Sequence, residues 1–394
     1  LRLTAGDQSR STLTAKADYV RPVGRRGRIE AGVEAEREAQ DDASRMDIFD
    51  SLVGGTAPVQ SARADYSTHD DQYSAYLNAS QRLGKLSLQG GLRAERSFRE
   101  LAAVGVDSVF EQDYFSLFPS ANAIYDFGQG RSARLSYSKR VRRPRIWDIN
   151  PFVLDTDPLN RMRGNPELDP SETHSIVADL TWRLQGVTLR FSPNYRRTDG
   201  EIERIRSVDA SGISTVVPQN LNSVTSYGAS LTASGRPIAG SNLSVTLGAN
   251  RFERDADNLN PIYSGTGSSS FVNTNASMRI NEGTSVQASM RVNGPRESPQ
   301  GRFGSTLYTD FGLRQTLLGD KASLNLRVTD PFDLFRMSFT SRDPSFSSSG
   351  SSRSPWGARS LSLSVSYRFG KMPKKKSSET RIEDDAPAEP APGM

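Results

Sequence analysis

The chain has 394 residues, of which 35% are hydrophobic and 24% charged, with 32 Gly, 21 Pro and no Cys. The missing cysteine excludes a disulfide scaffold and a cysteine-based metal site. A net charge of +5 arises from Arg interleaved with Glu and Asp, whereas nucleic-acid binding calls for a clustered basic stripe, so no nucleic-acid partner is expected.

No run of about 18 apolar residues is present, which excludes a membrane-spanning helix but not a membrane barrel. A spanning strand needs only about ten residues with every second one apolar. That pattern opens the chain. Over 11–21, Leu13, Ala15, Ala17 and Tyr19 alternate with Thr14, Lys16 and Asp18. After the turn PVGRRG, the segment 28–38 puts Ile29, Ala31, Val33 and Ala35 on one face and Glu30, Glu34 and Glu36 on the other. Period two is the strand signal. A face of full charges opposite an apolar one suits a wall with lipid outside and water inside.

The segment 39–70, rich in Asp, Ser and Gly, reads as a long loop. A second strand pair turns at 83–85, and a loop is expected over 98–114. A third pair turns at the GQG of 128–130. Further pairs turn at 185–186, 237–241, 281–283 and 318–320, and a last strand covers 360–369. Seven pairs and a single strand make about fifteen strands. Short turns alternate with long loops. Tyr19, Tyr73, Tyr125, Tyr137, Trp182, Tyr227 and Tyr367 lie near strand ends, as in an aromatic girdle. The fold class is all-β: a transmembrane antiparallel β-barrel over 1–370. The segment 371–394, charged, Pro/Ala-rich and without period, reads as a disordered periplasmic tail. With an odd strand count the first and last strands run the same way and cannot pair antiparallel. The chain therefore reads as the C-terminal part of a larger barrel.

The longest insert lies within 135–182, LSYSKRVRRPRIWDINPFVLDTDPLNRMRGNPELDPSETHSIVADLTW. Arg143-Pro144, Asn150-Pro151 and Gly164-Asn165-Pro166 are turn chemistry, since Pro fixes φ and Asn and Gly accept unusual angles. These positions are expected to fold an ordered loop. Arg145 and Trp147 are the candidates for substrate contact, because a cation beside an aromatic can recognise a sugar or an anionic chelate. Asp41, Asp42, Asp47 and Asp50 match no EF-hand spacing and read as a solvated loop, with no metal site expected. His69 and His174 are the two histidines. Neither sits in a Ser/His or Asp/His set, so no catalytic residue and no cofactor is expected.

SYSKRVRRPRIWDINPF and DPLNRMRGNPELDPSETHS resemble the central block of the outer-membrane β-barrel family of TonB-dependent receptors. LFPSANAIYDF, NYRRTDGEIERI, VNGPRESPQGRFGSTLYTDFGLRQTLLGDKASLNLRVTDPFD and the final SLSVSYRFGK agree. The resemblance covers roughly 70–372. It implies about twenty-two strands around a plug, of which about fifteen are present here and the plug is not. It also implies energy-coupled uptake of a scarce nutrient such as a siderophore, oligosaccharide or peptide across a Gram-negative cell outer membrane. The implied partners are the lipid bilayer, the TonB complex acting through the plug, a small-molecule or oligomeric substrate, and the barrel-assembly machinery reading Tyr367 and Phe369. Two other readings fit the same residues: a structural or surface-binding barrel without active transport, and a passive porin.

Overall fold

The computed structural model describes residues 2–48, 60–103, 109–150, 154–157, 159–319, 321–341, 343, 346–352 and 359–369. The alternation resolves into a 15-stranded sheet whose neighbours are sequential wall strands, all antiparallel. In order these are Arg2–Val23, Gly27–Ile48, Gln60–Leu83, Leu86–Ala103, Val109–Gly128, Arg131–Arg142, Ser171–Leu184, Val187–Asp199, Ser223–Gly235, Ser241–Asp255, Gly265–Arg279, Thr284–Asn293, Thr306–Leu317, Ala322–Thr329 and Ser360–Tyr367. The expected count and the expected short turns are found. At Gly186, for example, a φ of +74° closes the turn between Leu184 and Val187, a conformation that costs glycine least.

Strand lengths differ from the sequence expectation. The segment 39–70 is predicted as loop, yet the second wall strand runs on to Ile48 and the third begins at Gln60. The loop predicted over 98–114 likewise contains strand up to Ala103 and from Val109. At about 3.3 Å per residue, the 22 residues of Gly27–Ile48 run about 70 Å, more than twice a hydrocarbon core of about 30 Å. The outer half stands in water on both faces. Alternation of apolar with polar is then not required, so period two fades while the hydrogen-bonded ladder continues.

Register assigns the two faces. Val33, Ala75, Ala94 and Leu117 lie opposite one another across four strands. On the other face Lys16, Glu34, Ser74, Glu95 and Ser116 form the matching row. The apolar row belongs to an outward face on which Leu13, Val33, Leu77, Leu92 and Leu231 are exposed. Buried hydrophobics among the described residues are few: Leu101, Ile149, Leu168, Leu221 and Ala256. A sheet that exposes its apolar side chains and shelters Glu95, Ser74 and Ser116 is inverted relative to a protein in water, and only a lipid surround makes that distribution favourable. Of the predicted girdle, Tyr19, Tyr73, Tyr125, Trp182, Tyr227 and Tyr367 are all exposed.

The long connections build two smaller sheets. One has the order Ile202–Val208, Ser214–Asn220, Asn160–Met162, Leu154–Asp157, and its Ser214–Asn220 to Asn160–Met162 contact is parallel. The other has the order Arg296–Ser298, Gly301–Phe303, Met337–Ser341, Ser349–Ser352. The return strand of the pair that turns at 318–320 ends at Thr329, and Met337–Ser341 beyond it joins this second sheet. The tail 371–394 lies outside the described residues.

Candidate functional site

The central insert folds back onto the polar face of the wall. Leaving the strand Arg131–Arg142, the chain turns at Arg143 and Pro144 toward the third and fourth wall strands. The Arg143 guanidinium pairs with Glu95 and donates to Gln72 Oε1 at 3.4 Å. Glu95 also receives Arg93 at 3.1 Å, and Arg93 reaches Glu34 at 3.6 Å. The charges thus run across the polar face, with Arg93 bridging Glu95 and Glu34, two members of one row. Pro144 is fully buried. It has no N–H to leave unsatisfied, and its carbonyl accepts Arg99 Nη1 at 2.7 Å. Arg99 is itself held by a bidentate pair with Asp70 at 2.6 and 2.9 Å, the geometry in which an arginine fork binds most strongly.

One helical turn, Ile146–Ile149, follows. Asp148 accepts the Arg145 backbone N–H at 3.3 Å and the Arg204 guanidinium at 3.2 Å. The far side of the insert then closes on this turn. Gly164 N–H donates to the Asn150 carbonyl at 2.8 Å, and Asn165 N–H donates to the Asp148 carbonyl at 2.7 Å. A Cβ on Gly164 would stand 2.5 Å from Asn150 N and 2.8 Å from the Ile149 carbonyl carbon, so glycine is required by space. Asn165 Oδ1 accepts Glu167 N–H at 3.0 Å. The carbonyls of Pro166 and Leu168 accept Gln112 Nε2 at 3.3 Å and the Tyr114 hydroxyl at 3.2 Å. Ile149 and Leu168 pack on Leu101, with Tyr66, Phe110, Ile146 and Ile202 around them. Burying each of those three aliphatic side chains contributes about 2 kcal/mol.

The structure therefore brings Arg143, Pro144, Asn150, Gly164, Asn165 and Pro166 into one docked unit, while Pro151 lies outside the described residues. Arg145 and Trp147 are left facing away from this contact, Trp147 with 63% of its surface exposed. The anchors Glu95, Arg99, Gln112 and Tyr114 were not among the sequence candidates. Their only signal is a polar side chain at every second position of two wall strands, which many other positions share.

The neighbouring connection supplies a further charge pair. Arg142 donates to Glu201 at 3.1 Å and to the Ile202 carbonyl at 3.3 Å. Burial pushes the Glu201 carboxyl above the usual carboxylate range, and Arg142 only partly opposes it. Asp41 and Asp42 lie on a strand and so face opposite sides of it. The Asp47 side chain and Asp50 lie outside what the structure describes. Among the described residues no group of three or more His, Asp or Glu is placed to hold a metal ion. No helix there is long and apolar enough to cross a membrane, which says nothing about crossing by strands.

The sequence model of the outer membrane protein β-barrel family matches residues 2–367. The chain belongs to that family. This outer membrane β-barrel chain resides in the outer membrane of a Gram-negative bacterium. Solved structures with the same fold include the copper transporter OprC (TM-score 0.67, 14% identity, covering 93% of this chain and 59% of that one). The ferric yersiniabactin uptake receptor FyuA from Yersinia pestis matches with a TM-score of 0.62 and 14% identity, over 94% of this chain and 56% of that one. The ferripyoverdine receptor of the outer membrane of Pseudomonas aeruginosa matches with a TM-score of 0.60 and 13% identity, over 93% and 49%. The barrel chain thus spans between about half and three fifths of the length of these structures. No curated protein matches it in sequence. The named neighbours are transporters and receptors, not enzymes.

Proposed function

We propose that the chain forms part of the wall of a TonB-dependent receptor that imports a scarce nutrient, such as a siderophore, an oligosaccharide or a peptide. The observation that carries this reading is the central insert, fixed on the polar face by Arg143–Glu95 and Arg99–Pro144. Such an insert is a rigid platform inside the wall, and Arg145 and Trp147 are the side chains it presents. An exposed indole with a cation two residues away in the chain suits an anionic chelate or a sugar ring. Energy would come from the TonB complex pulling on a plug belonging to the whole protein. The barrel-assembly machinery would read the end of the last strand, where Tyr367 and Phe369 stack edge to face with centroids 4.7 Å apart. The three named neighbours support the reading: one is a copper transporter, one a ferric yersiniabactin uptake receptor and one a receptor bound to ferripyoverdine.

The test is uptake by cells carrying the full-length protein, with and without a functional TonB complex. Uptake of the solute should be lost without TonB and weakened by Arg145→Ala with Trp147→Ala. TonB-independent uptake together with steady conductance in a planar bilayer would replace this reading with a passive porin. Binding without any uptake would replace it with a surface-binding barrel.

A further inference from the structure

On the outward face, Tyr137, Ile176, Tyr195 and Tyr227 lie opposite one another across four wall strands. Two residues nearer the long connections, the next row on the same face is Lys139, His174, Arg197 and Thr225. Neighbouring strands are about 4.8 Å apart, so three basic side chains from three consecutive strands stand within about 10 Å. In two other rows of this face a single base has non-basic neighbours: Arg37 lies between Leu13 and Asp71, and Arg96 lies between Tyr73 and Phe115.

The local contacts leave donors to spare. Lys139 Nζ meets Glu172 at 2.7 Å, and Arg197 meets Asp199 at 2.9 Å through Nε, so the two terminal nitrogens of the Arg197 fork lie outside that bond. The His174 ring places Nδ1 3.0 Å from the Tyr137 hydroxyl. The tautomer that accepts from Tyr137 carries its proton on Nε2 and presents a second donor. Arg197 and Asp199 are 48% and 44% exposed, and ion pairs of exposed side chains add little stability and exchange partners readily, so Asp199 does not close the Arg197 fork to a stronger anion. Lys139, 16% exposed beside Glu172, adds its charge from a more sheltered position.

We infer that the Lys139–His174–Arg197 row docks the phosphate of a phosphorylated lipid headgroup in the outer leaflet. The tyrosine row fixes the depth, because a ring with an apolar body and a polar tip settles where acyl chains meet headgroups. The basic row lies one step toward the long connections, at headgroup level, where cations attract anionic lipid. An arginine fork with an adjacent imidazole N–H and a lysine ammonium matches the three-fold acceptor set of a phosphate monoester. A free anion would gain nothing from the tyrosine row beneath. A lipid gains contact along its chain as well.

The experiment uses the full-length protein in detergent, supplied with outer-leaflet glycolipid in phosphorylated and enzymatically dephosphorylated forms. Retention is read by native mass spectrometry and binding by thermal shift. The phosphorylated form should be retained in preference. Replacing Lys139 and Arg197 by Gln should weaken it about thirtyfold, as the loss of two surface cations implies. The exchange Lys139→Arg with Arg197→Lys should keep most of the affinity, and Lys16→Gln on the polar face should leave it unchanged. If the double Gln variant fails to fold, His174→Gln alone should still lower retention. Equal retention of both lipid forms, no effect of the Gln variants, or displacement by inorganic phosphate as effective as by lipid would overturn the inference. None of these outcomes depends on transport.

Discussion

The side-chain amide of Gln300 closes two hydrogen bonds on the backbone of Arg206. It accepts from the Arg206 N–H at 2.8 Å and donates to the Arg206 carbonyl at 2.7 Å. The amide thereby acts as a strand neighbour and joins the two smaller sheets, which lie 94 residues apart in the chain. Gln300 also donates to Asp343 at 2.7 Å, its own carbonyl accepts the Ser341 hydroxyl at 3.1 Å, and it is nearly inaccessible to solvent. Gln300→Leu keeps the volume and removes the partners. It should cost about 1–3 kcal/mol locally, the penalty for backbone groups left without partners. Hydrogen exchange should quicken in 202–208 and 296–303 and stay unchanged in the wall strands. Uniform acceleration, or none, would show that the two sheets are coupled by something else.

Gly164 approaches the backbone of Ile149 and Asn150 so closely that a methyl group has no place. The neighbours are backbone atoms, so they cannot swing aside. Gly164→Ala should release the insert from the turn Ile146–Ile149. Limited proteolysis within 142–170 should accelerate at least several-fold, with the barrel still resisting heat in a gel-mobility assay. A protected insert in this variant would mean that the closure has slack the geometry does not show.

Arg143 and Glu95 are both largely shielded, with 19% and 6% of their side chains exposed. Arg143→Met removes the cation but leaves Glu95 with Arg93, so the loss should be smaller than for a fully orphaned charge, about 1–3 kcal/mol. Arg143→Met combined with Glu95→Gln should recover part of it. Additive losses in that double-mutant cycle would count against a direct pair.

Asp330 is buried, sits at a φ of +46°, and accepts the backbone N–H groups of Leu334 and Phe335 at 2.8 and 3.1 Å. Asp330→Ala should destabilise the turn by about 2 kcal/mol. Asp330→Asn should cost less, since its amide still offers one acceptor and tolerates positive φ. Thermal melting of the three proteins should rank them in that order.

Glu201 carries the pH dependence. Its carboxyl titrates higher in the folded chain than in the unfolded one because burial outweighs Arg142. The folded state therefore binds that proton more tightly. Stability is penalised above the folded pKa, regained as pH falls through it, and fully regained below the unfolded pKa. Protection in 199–223, taken relative to the intrinsic exchange rate at each pH, should rise on mild acidification, and Glu201→Gln should abolish that rise. Arg142→Gln should move the Glu201 midpoint further up, which carboxyl NMR can follow.

What the sequence determined is the wall. Period two along Leu13–Tyr19 and Ile29–Ala35, and turn residues such as Gly186, are local signals whose meaning does not depend on distant partners, because the bilayer demands one apolar face and the turn demands one kind of backbone. Tertiary structure decided what stands above and inside it. The strand that continues to Ile48 has water on both faces, so its composition carries no period. The strand Asn160–Met162 exists only because Ser214–Asn220 lies beside it. Arg143 reads as turn chemistry in sequence, and only the folded chain sets it against Glu95, 48 residues earlier. Local patterns fix which side of a strand meets lipid. Which distant polar groups satisfy one another is settled by how the long connections fold back onto the sheet.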